Sequence, residues 1–145
     1  MNHDQYSDDY IEQILTRTRT VAIVGASPNP ARPSHEVMVH LRGKGYRVYP
    51  VNPAEAGNEI AGEQVYASLA GIPEAIDMVD IFRRSDAAGQ FSDEAVAISA
   101  RYVWMQLDVR DDEAARRAEA AGLSVVMNRC PEIEIARLNL KPVLT

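Results

Sequence analysis

The chain has 145 residues, and 46% of them are hydrophobic, which fits one domain with a hydrophobic core. We expect this domain to consist of a lead-in helix over 1–19 and a main body over 20–140. Its 21 acidic and 15 basic residues give a net charge of −6, which argues against a nucleic-acid surface because such surfaces are basic. A single cysteine excludes an internal disulfide. No long apolar run or charged-then-apolar pattern suggests a membrane span or a signal peptide, so we expect a soluble cytoplasmic protein without membrane contact. The histidines and the cysteine do not cluster, so we expect no metal site.

The first predicted element is a helix from about Ser7 to Arg19. Ser7 is a candidate N-cap. Two acidic residues in the predicted first turn would interact favourably with the positive end of the helix dipole. Apolar residues recur at helical spacing: Tyr10, Ile11, Ile14 and Leu15. These apolar residues, with Val143 and Leu144, look exposed and permit a homodimer.

Apolar runs and amphipathic stretches alternate along the rest of the chain. The runs predict strands at Val21–Val24, Tyr46–Val51, Met78–Phe82, Tyr102–Gln106 and Ser124–Met127. The stretches predict helices at Ser34–Lys44, Asp86–Ala100, Asp111–Ala121 and Pro131–Leu138, with N-caps at Ser85, Asp86 and Asp111 and C-terminal glycines at 45 and 122. Residues 60–66 suggest a loop with a minor strand, and residues 67–71 a short helical turn. This pattern indicates an α/β fold: a doubly wound, mainly parallel five-stranded sheet with helices on both faces.

The loop between the first strand and the next helix is the predicted ligand site. It reads Gly-Ala-Ser-Pro-Asn-Pro-Ala-Arg-Pro-Ser over 25–34. A glycine turn that feeds a helix N-terminus offers unpaired backbone N–H groups and a positive dipole end to an anion, most often a phosphate. Ser27 and Ser34 add hydroxyl groups, although Ser34 is equally placed to be the N-cap of its helix.

The carboxyl ends of parallel strands meet at one edge of a sheet, where ligands bind at the point of strand-order reversal. Three of the five predicted ends carry arginine: Arg32, Arg83 with Arg84, and Arg129. A guanidinium group can donate two parallel hydrogen bonds to the oxygens of one phosphate. The arginines at this edge of the sheet therefore favour a ligand with several phosphates. Because successive side chains of a strand alternate faces, we expect Arg83 to point inward and Arg84 to pair with a surface acid.

A nicotinamide dinucleotide fits this loop poorly. Its fingerprint needs three glycines in G-x-G-x-x-G and an acidic residue after the second strand, whereas this loop has Gly25 alone and Asn52-Pro53 stands at the acidic position. Glu55 follows Pro53, which turns the chain, so Glu55 is poorly placed to serve as the acidic residue that binds the ribose. An NAD-binding redox module is therefore the least favoured alternative.

The order and spacing of several short motifs resemble those of the small bacterial CoA-binding proteins of the YccU type. These are single Rossmann-like domains related to the CoA-binding domain of succinyl-CoA synthetase alpha subunits. The matching segments are Val24–Pro28, Arg32–Ser34, Gly45-Tyr46, Pro50–Pro53, Asp77–Arg83, Val103–Leu107 and Val126–Pro131. The resemblance covers residues 21–140 and implies coenzyme A, or an acyl-CoA, as the ligand. The synthetase also needs a phosphorylated histidine from a later domain, so ligase activity is not carried over.

The resemblance also implies roles for individual residues. The diphosphate would lie against Gly25, Ala26 and Ser27 and the helix starting near Ser34, with Arg32, flanked by Pro33, as charge partner. Asn52 and Pro53 would line the adenosine side, and Phe82 and Arg83 would flank the adenine or the ribose phosphate. The pantetheine end would lie near Asn128, Arg129, Cys130 and Pro131. Relatives often have aspartate at position 128 and glycine at position 108, so we carry over no ligand role for Asp108.

Cys130 leaves two function classes open. It precedes Pro131 at a predicted helix N-terminus, where a thiolate is favoured, so one alternative is a CoA-dependent thiol or acyl transfer enzyme with Cys130 as nucleophile. Free cysteines are, however, usually buried, and the sequence shows no neighbouring catalytic histidine. A non-catalytic CoA-binding protein is the favoured interpretation. Trp104 and Tyr49 lie on strands and are expected in the core rather than stacked on a base.

Overall fold

The computed structural model describes residues 1–143. In this part of the chain it contains five α-helices: α1 (Asp8–Arg17), α2 (Pro33–Gly43), α3 (Ser85–Ala97), α4 (Asp112–Ala120) and α5 (Pro131–Arg137). The strands are β1 (Thr20–Val24), β2 (Arg47–Val51), β3 (Glu59–Ile60), β4 (Glu63–Gln64), β5 (Met78–Ile81), β6 (Tyr102–Met105) and β7 (Ser124–Val126). Two short 3-10 turns cover Pro53–Glu55 and Leu69–Gly71. Each predicted helix and each main strand is therefore confirmed, with shifts of up to a few residues at the ends.

The main sheet is parallel throughout, in the order β2-β1-β5-β6-β7. The strand order reverses between β1 and β5, because the chain adds β2 on one side of β1 and the later strands on the other. The Rossmann-like α/β prediction is confirmed. The segment expected to hold one minor strand forms a small antiparallel hairpin of β3 and β4 instead.

Helices cover both faces of the sheet. On one face α1, α2 and α5 bury large side chains such as Ile11, Met38 and Ile135 against the sheet. On the other face α3 and α4 pack closely through alanines, including Ala88, Ala95, Ala114 and Ala118. Trp104 is fully buried and its indole N–H donates to the backbone oxygen of Arg129 at 2.8 Å, as a core tryptophan requires.

The apolar residues of α1 are buried within the chain itself. Ile11, Ile14 and Leu15 are all nearly inaccessible, and Tyr10 binds the backbone of β7. Val143 packs half-buried against the same core, while Leu144 lies outside the described residues. The expectation that this surface is exposed is wrong, because the helix closes one face of the sheet. It therefore gives no support to a homodimer, which stays a prediction.

The helix starts differ in part from the predictions. Ser7 caps α1 by accepting from the Tyr10 N–H at 3.2 Å, and Asp111 caps α4 by accepting from the Ala114 N–H at 3.0 Å. Helix α3, however, begins at Ser85 itself, so the N-caps predicted at Ser85 and Asp86 are wrong. The Ser85 hydroxyl instead accepts from the Arg110 N–H at 2.9 Å, which ties α3 to the loop after β6. In the described range, every helix is too short or too polar to span a membrane.

Candidate functional site

A cavity of about 790 Å³ opens at the carboxyl edge of the sheet, over the point where the strand order reverses. This volume lies within the range of roughly 300–1,000 Å³ that is usual for small-molecule and cofactor sites. Ten of the predicted site residues line it: Gly25, Ala26, Ser27, Arg32, Pro33, Ser34, Asn52, Phe82, Arg83 and Cys130. Loops that are far apart in the sequence therefore converge on one cavity.

Gly25 makes the close approach between the first loop and the neighbouring β5–α3 loop possible. Its φ of +83° lies in the left-handed region, and a Cβ atom there would meet the Phe82 carbonyl oxygen at 2.8 Å and the Arg83 Cδ atom at 3.0 Å. A residue with a side chain would be strained in conformation and would displace backbone. The turn glycine thus lets Arg83 lie across the loop.

Not all of the backbone N–H groups of the glycine turn are unpaired, contrary to the prediction from the sequence. Those of Gly25 and Ala26 both point to the Val51 carbonyl oxygen, at 3.1 and 3.4 Å, and so are engaged within the protein. Within residues 1–143, the N–H groups of Ser27 and Ser34 donate to no protein acceptor. Helix α2 begins at Pro33 with Arg32 in the N-cap position, so Ser34 is its second residue and not its N-cap. Within this loop of the described chain, the N–H groups left available to an anion are therefore those of the two serines.

Three arginines border this part of the cavity. Arg32 and Arg83 are exposed, and the Arg83 guanidinium lies 5.7 Å from the centroid of the Phe91 ring. Arg84 also lines the cavity, although it pairs with Asp86 at 3.4 Å and its side chain is highly exposed. The predicted surface pairing of Arg84 is confirmed, and its position at the cavity adds a third cation. Positive charge is thus concentrated on the loops after the neighbouring strands β1 and β5, in a protein of net charge −6.

Asn52 lines the cavity but holds the loops together rather than offering free polar groups. Its Nδ2 donates to the Ala26 carbonyl at 2.8 Å and its Oδ1 accepts from the Ala54 N–H at 2.9 Å. Pro53 stands outside the lining, at the start of the 3-10 turn. Glu55 accepts from the Asn58 side chain at 3.2 Å and is likewise outside the lining. Asn52 is therefore a wall residue of the cavity, whereas Pro53 does not line it.

Asn128 and Arg129 also lie outside the cavity lining. The Asn128 Oδ1 accepts from the backbone N–H of Asp108 at 2.7 Å, which fixes the loop after β6. The Arg129 guanidinium stacks over the Tyr6 ring at 5.3 Å and donates to the Asn128 carbonyl oxygen at 2.8 Å. The N-terminal segment therefore holds the Arg129 side chain outside the cavity lining. The position of Arg129 at a strand end does not predict this contact, because Tyr6 is distant in the sequence.

Cys130, which the resemblance places on the pantetheine side, is buried in the cavity wall at the start of α5. Near it, Glu36 and Glu132 line the cavity from α2 and α5. Burial raises the pKa of Glu132, His40 opposes this shift, and the neighbouring Glu36 carboxylate adds to it. This acidic pair was not predicted, because its members come from two helices almost one hundred residues apart.

The structure adds a buried polar pair beneath the cavity. Gln106 lines the cavity and is 5% exposed, while Asp80 behind it is fully buried. With its amide nitrogen toward Asp80, Gln106 donates to both carboxyl oxygens, at 2.9 and 3.2 Å. Burial raises the pKa of Asp80 well above its usual range. The sequence signal for this pair is the polar residue within each of the apolar runs that predict β5 and β6.

The donor set of the cavity suits an anion rather than a metal. Among the described residues, no group of three or more histidine, cysteine, aspartate and glutamate side chains is arranged to hold a metal ion. The cavity instead combines guanidinium groups, hydroxyls and free N–H groups at the switch point of a parallel sheet. These features define a Rossmann-like domain whose cavity carries groups of the kind that bind anions.

Comparison with known proteins gives the family. The CoA binding domain family matches residues 19–136, and this chain belongs to that family. The chain is 33% identical over 123 residues to YneT of Bacillus subtilis (strain 168), an uncharacterized protein, covering 85% of this chain and 90% of YneT. It is also 36% identical over 73 residues to the alpha subunit of acetate–CoA ligase [ADP-forming] I of Pyrococcus furiosus, of which it spans 16%.

Solved structures show the same fold over nearly the whole chain. A protein described as PH1109 redesigned for binding superposes with a TM-score of 0.89 at 41% identity, covering 93% of this chain and 94% of that one. A hypothetical protein from Pyrococcus horikoshii OT3 superposes with a TM-score of 0.88 at 38% identity, covering 96% of each chain. The resemblance noted in the sequence is therefore confirmed at the level of family and fold.

Proposed function

We propose that this protein binds coenzyme A, or an acyl-CoA, in the cavity at the carboxyl edge of the sheet, and that it does so without catalysing a reaction. The observation that carries the proposal is the concentration of Arg32, Arg83 and Arg84 around the free N–H groups of Ser27 and Ser34, in an acidic protein. Coenzyme A carries a diphosphate and a 3′-phosphate, which such groups recognise. Membership of the CoA binding domain family supports the same ligand.

The test is isothermal titration of the purified protein with CoA, 3′-dephospho-CoA and NAD at one salt concentration. We expect saturable CoA binding that weakens without the 3′-phosphate, and little NAD binding. Arg83→Ala should weaken CoA binding about tenfold, as expected for the loss of a charge-assisted hydrogen bond. If Arg83 contacts the 3′-phosphate, the substitution should cost less affinity for 3′-dephospho-CoA than for CoA.

Arg116→Ala is the matched control. Arg116 lies on α4 outside the cavity, is highly exposed, and changes the net charge by the same amount when replaced. It should leave CoA affinity unchanged. Failure of CoA to bind protein that carries no co-purified ligand would overturn the proposal, and equal losses in the two variants would show that only net charge matters.

A second candidate function rests on Cys130, whose thiol is buried in the wall of the same cavity. With CoA disulfide as co-reactant, the Cys130 thiolate would attack one sulfur, form a mixed disulfide with CoA and release the other CoA as thiolate. Mass spectrometry of non-reduced protein would detect the adduct, which Cys130→Ser should abolish. An unmodified mass after incubation with CoA disulfide would exclude this function.

A further inference from the structure

The charge of the lining residues changes along the strand order β2-β1-β5-β6-β7, from the loops after β1 and β5 to those after β6 and β7. Arg32 at the start of α2 and Arg83 and Arg84 after β5 supply the positive charge. The loop after β6 and helix α5 contribute acidic and apolar lining groups, namely Leu107, Asp108, Glu132 and Ile133. The phosphates of a bound CoA therefore belong at the arginines, and its uncharged arm and any acyl group extend toward α5.

The cavity lining near α5 also exposes apolar surface. Among residues 1–143, four large hydrophobic side chains are exposed, and two of them, Leu107 at 49% and Ile133 at 52%, line this one cavity. They come from different elements, the loop after β6 and helix α5, yet border the same opening. Exposed apolar side chains grouped at a cavity indicate an apolar ligand group.

Carboxylates that line the cavity near α5 determine whether a bound acyl group can carry a negative charge. Glu36, Asp108 and Glu132 come from three separate elements and all line the cavity. Glu132 is half-buried, so a charge close to it is screened less than on an open surface. A second anion brought here would be repelled, whereas a neutral chain could pack on Leu107 and Ile133.

We infer that the cavity selects acyl-CoA thioesters with an uncharged, apolar acyl chain and discriminates against acyl chains that end in a carboxylate. The apolar rim of Leu107 and Ile133 contacts the chain, and Glu36, Asp108 and Glu132 exclude the anionic one. This inference rests on the proposed function, because it assigns the acyl group carried by the ligand of the same site.

Butyryl-CoA and succinyl-CoA test it, because both acyl chains have four carbons and differ in a terminal methyl or carboxylate. By titration calorimetry we expect butyryl-CoA to bind about tenfold more tightly than succinyl-CoA, from the buried methylene groups and the repulsion together. In the double variant Leu107→Ser and Ile133→Ser, the ratio of butyryl-CoA to CoA affinity should fall to about one. In Glu132→Gln, succinyl-CoA should gain affinity relative to butyryl-CoA.

Val39→Ser is the matched control, because Val39 is exposed on α2 but lies outside the cavity lining. It should leave all three affinities unchanged. Equal affinities for butyryl-CoA and succinyl-CoA, or a butyryl preference that survives in the double variant, would overturn this inference while CoA binding stands. Absence of CoA binding by the unaltered protein would overturn the proposed function and this inference together.

Discussion

A Cβ atom on Gly25 would lie 2.8 Å from the carbonyl oxygen of Phe82. The first loop of the site and the loop after β5 can therefore approach each other only because residue 25 lacks a side chain. Gly25→Ala should lower the free energy of unfolding by about 2 kcal/mol, from left-handed strain and the steric contact, and should weaken CoA binding. Urea denaturation and calorimetry measure the two effects.

Gly43→Ala is the control for that prediction. Gly43 is the last residue of α2, and a Cβ atom there would have open space around it. Because alanine favours a helix more than glycine does, this variant should be as stable as the unaltered protein or slightly more stable. If Gly25→Ala behaves like Gly43→Ala, the close approach does not constrain the site.

Asp108 should oppose CoA binding. It lines the cavity, and its φ of +67° is a left-handed conformation that asparagine tolerates well. Asp108→Asn removes the charge and keeps the backbone, so CoA affinity should rise by up to about fivefold at low salt and by less at high salt. The exposed Asp9 on α1 gives the matched substitution, and Asp9→Asn should not change the affinity. A loss of affinity in Asp108→Asn would mean that the carboxylate assists binding.

Asp80 should make stability depend on pH. Its pKa in the folded protein is raised by burial above the unfolded value of about 3.9, so the folded state binds more protons between these two pKa values. The contribution of Asp80 to the free energy of unfolding therefore falls as pH rises through that range. Asp80→Asn removes this dependence and keeps a hydrogen-bonding partner for Gln106.

Urea denaturation at a series of pH values measures this effect. The stability of Asp80→Asn relative to the unaltered protein should increase as pH rises above about 4 and level off beyond the folded pKa of Asp80. A difference that stays constant with pH would show that the carboxyl titrates alike in the folded and unfolded protein.

Tyr10 covers the free edge of β7. Its hydroxyl donates to the Val125 carbonyl at 2.7 Å and accepts from the Val125 N–H at 3.1 Å. Tyr10→Phe leaves both backbone groups without this partner and should lower the free energy of unfolding by about 1–3 kcal/mol. Because Tyr10 lies outside the cavity lining, CoA affinity at a temperature where the variant is folded should not change. Unaltered stability would mean that water replaces the hydroxyl.

The order of strands and helices was readable from the sequence because it depends on local periodicity. Continuous apolar runs such as residues 21–24 and 102–105 can be buried on both faces only in a parallel sheet covered by helices. The turn at Gly25 and the arginines at 32 and 83 follow from their places at strand ends. These positions, together with the spacing of the motifs, also predicted the family and about half of the residues that line the cavity.

Packing between distant residues determined the remaining features of the site. The sequence around Val51 does not indicate that its carbonyl oxygen accepts hydrogen bonds from the N–H groups of Gly25 and Ala26. The sequence around Arg129 likewise does not indicate that Tyr6 holds its side chain away from the cavity. The pairing of Asp80 with Gln106, and the meeting of acidic side chains from α2 and α5, also join elements distant in sequence. A sequence shows which residues end each strand, whereas side-chain direction and partner depend on how the strands and helices pack together in three dimensions.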